Sequence, residues 1–232
     1  FYLCYLGGYG SDEDTLPMIH VFEARLADGR FVTSRFTSYP IPEIGIGFLS
    51  YFFGSFSINS CEQHKFENLK DEKEKLIDLM SKADVVVENF KPGTLERIVG
   101  TLPKDTIICS ISGYGATGPR RNEPGYDLAL QARSGIMSIT GESDGAPVKV
   151  GVAWIDIITG LYAGNAILAA LLDRERTGTV RHIDVSLWDC AIASLANQAQ
   201  NVLASGIDPK RMGSAQPNLV PYRAFEAKDG WF

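Results

Sequence analysis

Three valines in a row, Val85-Val86-Val87, set between Asp84 and Glu88, constrain the fold more than any other feature of the chain. A short β-branched run of this kind reads as a buried strand. Before it, Glu72 to Ala83 places Leu76, Leu79, Met80 and Ala83 on one helical face behind an acidic start. After it, Asn89 to Gly93 is a turn built on Pro92 and Gly93, and a short helix runs from Thr94 as its N-cap to Val99, closed by Gly100. Thr106 to Ser112 is a second strand, and the glycine-rich stretch Ser112-Gly113-Tyr114-Gly115-Ala116-Thr117-Gly118-Pro119 follows it. Strand, turn, helix, strand, loop is the rhythm of an α/β fold, an open sheet flanked by helices. Such sheets bind ligands beyond the carboxyl ends of their strands, where both loops would lie.

The pattern continues with helices over Tyr126 to Ile139 and Thr159 to Arg176, the latter carrying Gly160, Ala163, Gly164, Ala166 and Ala169 for close packing. His182 to Ser186 is a strand, and Leu187 to Ser205 a helix stopped by Gly206. Phe1 to Phe66 differs: it is rich in Phe, Tyr, Ser and Gly, and Ile44 to Phe56 is apolar without a clean helical or strand period. No element is assigned there.

A net charge of -6 argues against a nucleic-acid partner, which needs a basic face. No Lys/Arg run points to an anionic membrane surface. Gly151 to Leu172 has the length of a membrane span, yet it carries Asp156, Thr159, Asn165 and three glycines, and a charge near a bilayer centre is costly. Cys4, Cys61, Cys109 and Cys190 show neither CxxC pairing nor metal-like spacing with His20, His64 or His182, so they read as incidental thiols in a reducing compartment. A secretory signal is lacking. The chain starts without Met and stops at Trp231-Phe232, just after the turn residues Lys228-Asp229-Gly230, so both ends read as cuts within a longer protein.

Asp156 is the first candidate for chemistry. It lies in Val150-Gly151-Val152-Ala153-Trp154-Ile155-Asp156-Ile157-Ile158-Thr159-Gly160, where its neighbours are apolar or small. Desolvation disfavours a charged carboxylate, and residues kept despite that cost are often functional. An Asp just before a helical stretch is also commonly an N-cap. Spacing alone leaves both roles open. Asn89-Phe90-Lys91-Pro92-Gly93 offers an aromatic ring and a cation at a strand end, which suits an adenine and a phosphate but equally a solvated turn. The glycines Gly113, Gly115 and Gly118 do not form a dinucleotide fingerprint, so a nicotinamide dehydrogenase is disfavoured and a plain surface turn is the simpler reading. Gly-x-Ser-x-Gly does not occur, and His182, inside a strand, reads as structural.

Taken together, five ordered stretches resemble family III CoA-transferases. They are Val86 to Arg97, Ser112 to Pro119, Gly125-Tyr126-Asp127 through Met137, Asp156-Ile157-Ile158-Thr159-Gly160-Leu161-Tyr162, and Val220-Pro221-Tyr222-Arg223-Ala224-Phe225 with Asp229-Gly230. The resemblance runs from about Asn68 to the end of the chain. Within the family, Gly125-Tyr126-Asp127, Thr140-Gly141, Val152-Ala153 and Gly213-Ser214-Ala215 look like the dicarboxylate branch.

That resemblance implies a Rossmann-like large domain over residues 67–219, the start of a small domain over 220–232, and an unmatched segment over 1–66. It implies an interlocked homodimer for the full-length protein, acyl-CoA and a carboxylic acid as substrates, and no permanently bound cofactor, metal, nucleic acid or membrane. Asp156 takes the nucleophile position. Asn89, Phe90, Lys91 and Arg97 line the CoA nucleotide, and Pro124, Gly125, Tyr126 and Asp127 form the loop near the thioester. Lys210, Arg211 and Arg223 are candidates for a second substrate carboxylate, or solvated charges. The compartment is intracellular, cytosol or mitochondrial matrix. Acyl-CoA racemases share the fold and place His before Asp in the loop that reads Gly125-Tyr126-Asp127 here; a phenol with a pKa near ~10 is a poor base in its stead. The family's first strand-turn-helix and Arg-containing CoA loop are expected before Asn68, and Phe1 to Phe66 matches neither, so an inactive fragment is the second alternative.

Overall fold

Three apolar residues in succession suit a strand only if helices cover both of its faces, because alternate side chains point to opposite sides. A computed structural model, which describes residues 2–7, 18–27, 30–36 and 69–232, shows this arrangement. Val85 and Val87 of β4 (Val85–Glu88) face one layer, and Val86 faces the other. The sheet has six strands in the order β3 (Arg30–Phe36), β2 (Met18–Ala27), β1 (Tyr2–Gly7), β4, β5 (Ile107–Ser112) and β6 (His182–Ser186). Strand β1 pairs parallel with β4, β4 with β5, and β5 with β6. Strands β2 and β3 extend the β1 side as an antiparallel pair.

Three strands therefore lie within the segment for which periodicity assigned none. The usable signal was Asp28-Gly29, which separates the partners Ala27 and Arg30 and is among the strongest two-residue hairpin signatures. The apolar stretch Ile44 to Phe56 lies outside the described residues, as do Cys61 and His64.

One face of the sheet is covered by α1 (Leu69–Lys82) and α2 (Thr94–Val99): Leu76, Met80, Leu95 and Val99 pack on Val86 and Ile108. The N-cap of α2 is Gly93, at φ 80°, rather than Thr94; the Thr94 hydroxyl instead accepts a bond from Arg97 at 2.8 Å. The other face is covered by α5 (Trp154–Thr177), whose Ala163, Ile167 and Ala170 pack on Val85, Val87, Ile107 and Cys109. Gly160 and Ala163 are buried, whereas Ala169 points outward with Leu161, Leu168 and Leu172. By length and apolarity α5 would satisfy a membrane span, with a third of its most apolar window buried. Its C-terminal Arg174 fixes its direction. The guanidinium donates to Asp84 O, Asp105 O and Asp84 Oδ1, at the amino ends of β4 and β5. Hence α5 runs against the strands, and its N-terminus lies at their carboxyl edge.

Two expected helices are broken. Tyr126 to Ile139 divides into α3 (Asp127–Arg133) and α4 (Ile136–Ile139) at Gly135, φ 92°. Leu187 to Ser205 divides into α6 (Leu187–Ser194) and α7 (Asn197–Ser205) at Ala196, φ 49°. An alanine there is held in a region that its Cβ disfavours. Two short strands, β7 (Glu226–Ala227) and β8 (Gly230–Trp231), pair near the end of the chain. Ala196→Gly is expected to raise stability by about 1 kcal/mol, read from urea unfolding, because relief of strain exceeds the entropy that glycine adds to the open chain.

Candidate active site

The first turn of α5 is built from Trp154, Ile155, Asp156 and Ile157, a bulky and β-branched sequence with modest helix propensity. Tertiary contacts hold it in place. The residue before the helix, Ala153, supplies no side-chain cap. Instead the Ile155 N–H donates to Oδ1 of Asp127 at 2.7 Å, from the first residue of α3. Gln131, one turn on and fully buried, donates to Asp127 Oδ2 at 2.6 Å and accepts from the Val150 N–H at 2.8 Å. Two side chains of α3 thus clamp the segment leading into α5.

This removes one of the two roles left open for Asp156, that of helix cap. The helix begins at Trp154 and not at Thr159, so Asp156 sits within the first turn, and the capping interaction belongs to Asp127. Asp156 is half-buried at the carboxyl edge of the sheet. Burial, followed by the neighbouring charge of Asp127, pushes its carboxyl up to about 6 from 3.8. The positive end of the helix dipole acts in the opposite sense. Asp127, expected to be a substrate-loop residue, is itself hydrogen-bonded on both oxygens.

Loop Pro124 to Asp127 is held by an unusually close backbone approach. A Cβ on Gly125 would lie 2.3 Å from Gly113 Cα, and one on Gly113 would lie 2.6 Å from Gly125 N. Only two glycines facing each other allow the end of β5 to meet this loop. Tyr126 is 62% exposed. Arg133 ties the outer side of the loop together, donating to Tyr114 Oη at 2.6 Å and to Glu123 at 2.7 Å. The hydrogen bond from Arg133 holds the Glu123 carboxyl below its usual range.

Two amides of the glycine-rich stretch are already engaged within the fold. The Gly115 N–H is donated to Ser112 Oγ at 3.0 Å and the Ala116 N–H to Asp184 Oδ2 at 2.9 Å. Asp184, on β6, was not singled out in the sequence; its place beside Ser110 in the sheet register could not be read without the pairing.

Asn89, Phe90, Lys91 and Arg97 gather at the carboxyl end of β4, adjacent to β5 and on the α1/α2 side. Phe90 packs on the cluster that holds Leu95, while Lys91 and Arg97 are exposed. They form a second group, one strand over from the Gly113–Gly125 contact. Arg211 is half-buried, with one Nη donating to Ser138 O at 3.3 Å, Arg223 lies 5.3 Å over the Phe225 ring, and Lys210 is exposed. His182 is exposed at the start of β6. Cys109 and Cys190 are buried free thiols, and burial pushes Cys109 up to about 12, which leaves it unreactive.

Comparison with known proteins gives a consistent result. The sequence profile of CoA-transferase family III matches residues 67–232. The chain is 47% identical over 159 residues to succinate–glutarate CoA-transferase of Agrobacterium fabrum, covering 66% of this chain and 40% of that protein. It is 42% identical over 183 residues to succinyl-CoA:glutarate CoA-transferase of Mus musculus, covering 75% and 42% respectively. Among solved structures, a CAIB/BAIF family protein from Brucella suis superposes with a TM-score of 0.64 at 46% identity, over 71% of this chain and 46% of that one. The chain thus spans less than half the length of each of these relatives.

Two outcomes test the site. Gly125→Ala is expected to destabilise by about 2 kcal/mol in urea unfolding, since its Cβ meets backbone that cannot yield. Asp156 ionises less readily in the fold than in the open chain, so the fold loses stability as pH rises from 3.8 toward about 6 and does not regain it above. Asp156→Asn is therefore expected to unfold at a higher temperature than the native chain near about pH 8, with the two converging below about pH 4.

Proposed function

Because the chain belongs to CoA-transferase family III, we propose that the whole protein moves coenzyme A from an acyl-CoA such as succinyl-CoA to a second, dicarboxylic acid, with Asp156 as covalent nucleophile. The observation that carries this reading is a half-buried carboxylate at the sheet's carboxyl edge, relieved of capping duty by Asp127 and pushed up to about 6. At neutral pH it is ionised, yet poorly solvated, which favours attack on an electrophile.

The steps balance without an external reagent. A carboxylate oxygen of Asp156 attacks the thioester carbonyl; the C–S bond breaks, and CoA leaves as thiolate. The product is a mixed anhydride. The thiolate then attacks the aspartyl carbonyl of the anhydride, releasing the donor acid as carboxylate and leaving an aspartyl-CoA thioester. The acceptor carboxylate attacks that thioester, and the same two steps in reverse give the new acyl-CoA and free Asp156. Both intermediates hydrolyse readily, so the site must exclude water. The buried Ile155 and its partners Trp154 and Leu130 supply an apolar floor.

Asn89, Phe90, Lys91 and Arg97 hold the CoA nucleotide, and Pro124, Gly125, Tyr126 and Asp127 form the wall beside the thioester. The pairing of succinate and glutarate in the names of the bacterial and mouse relatives supports a dicarboxylic acceptor. Residues 67–219 form part of the large domain and 220–232 open a smaller one. The enzyme works as a homodimer inside the cell, in cytosol or mitochondrial matrix, with CoA as substrate and no resident cofactor.

The test is mass spectrometry of the protein incubated with succinyl-CoA and quenched with hydroxylamine. A hydroxamate at Asp156, absent in Asp156→Ala, is the expected result. A folded protein that binds CoA yet leaves Asp156 unmodified with several acyl-CoA donors would sink the transferase mechanism.

A further inference from the structure

Glu88 is the last residue of β4 and is only 6% exposed. Among the described residues no cation pairs with it. Its Oε2 accepts the Phe90 N–H at 2.8 Å, and the Ser110 hydroxyl bonds to it from the neighbouring strand. Glu88, Ser110 and Asp184 stand side by side in register across β4, β5 and β6, on one face of the sheet. Glu96 on α2 is a further like charge, and on β1 the residue opposite is Leu6. Burial, above all, pushes the Glu88 carboxyl up to about 7 against the pull of its two hydrogen bonds. A buried acid without a counter-ion costs stability, and the sheet itself has no use for it.

Its local geometry supplies the use. The carboxyl reaches forward two residues to the amide that begins the turn after β4. Phe90 is then pinned twice, by its ring in the α1/α2 cluster and by its N–H on Glu88. The backbone of Asn89 and Lys91, on either side, is thereby held in place. Asn89 Oδ1 is enclosed without a donor among the described residues, a strained arrangement that a loose turn would relax.

We propose that Glu88 is a positioning residue: by anchoring the Phe90 amide it sets Asn89 and Lys91 for the nucleotide end of CoA, and it takes no part in the chemistry at Asp156. The inference rests on the reading that this turn holds the nucleotide.

The experiment separates nucleotide binding from chemistry in the full-length protein. Calorimetry measures CoA binding, and hydroxylamine trapping measures acylation of Asp156 by succinyl-N-acetylcysteamine, a thioester with no nucleotide. Glu88→Met removes the acceptor and keeps the bulk; it is expected to weaken CoA binding about tenfold while acylation by the short thioester is unchanged. Glu88→Gln keeps an acceptor and is expected to restore CoA binding to within about twofold. Glu88→Asp withdraws the carboxyl by one methylene and is read in the same way as Glu88→Met, should the latter not fold. Undiminished CoA binding in the Met or Asp variant overturns the proposal, as does an equal loss with both ligands or a failure of Gln to rescue. If the native protein is acylated but shows no preference for CoA over the short thioester, the nucleotide reading beneath the proposal falls first, and the proposal with it.

Discussion

The hydrogen bond from the Ile155 N–H to Asp127 is the contact on which the rest of the site depends. A helix start leaves backbone donors without partners, and a cap normally comes from the residue just before it. Here it comes from another helix, α3, more than twenty residues earlier in the chain. Because the cap is tertiary, it does two things that a local cap does not. It locks the relative placement of α3 and α5, and it frees the carboxylate of Asp156 from serving its own helix. It also sets a second negative charge near Asp156, which works with burial to raise that group. Gln131 completes the clamp, and its complete burial is affordable because both ends of its amide are bonded.

Much of the fold was legible in the chain. Val85 to Val87, the turn at Pro92-Gly93 and the strand ending at Ser112 gave the parallel sheet, because β-branched runs and glycine punctuation are local signals. The start of α5 was not legible. Trp154 to Ile158 has the composition of a strand, and it is helical because Asp127 and the core around Leu130 and Ile136 hold it so. The break at Ala196 was equally hidden, since alanine at positive φ is a tertiary outcome and not a propensity. The hairpin of β2 and β3 was marked by Asp28-Gly29 but was masked by aromatic residues that confuse a periodicity reading.

The candidate site divides in the same way. Asp156 stood out as a charge in an apolar stretch. The clamp at Asp127 and Gln131 required knowing that α3 lies across the entry to α5. The mutual contact of Gly113 and Gly125 is likewise a fact of three dimensions, since neither glycine is notable alone. What the sequence offered for the second group, an aromatic and a cation at a strand end, said nothing of the acid behind them, because Glu88 reads as the polar end of a strand until its burial is known.

Arg174 gives α5 a further property. With 24 residues the helix is about 36 Å long at about 1.5 Å per residue, and it is fastened at both ends: by Asp127 at the carboxyl edge of the sheet and by the Asp84 and Asp105 carbonyls at the amino edge. It therefore works as a gauge rod. The distance and the angular setting of Asp156 are fixed by the number of residues between two anchors, and a single residue gained or lost in that interval would swing the carboxylate by about 100° and shift it by about 1.5 Å. The outward face of this helix, with Leu161, Leu168 and Leu172, can vary in side chain, but the helix cannot vary in length.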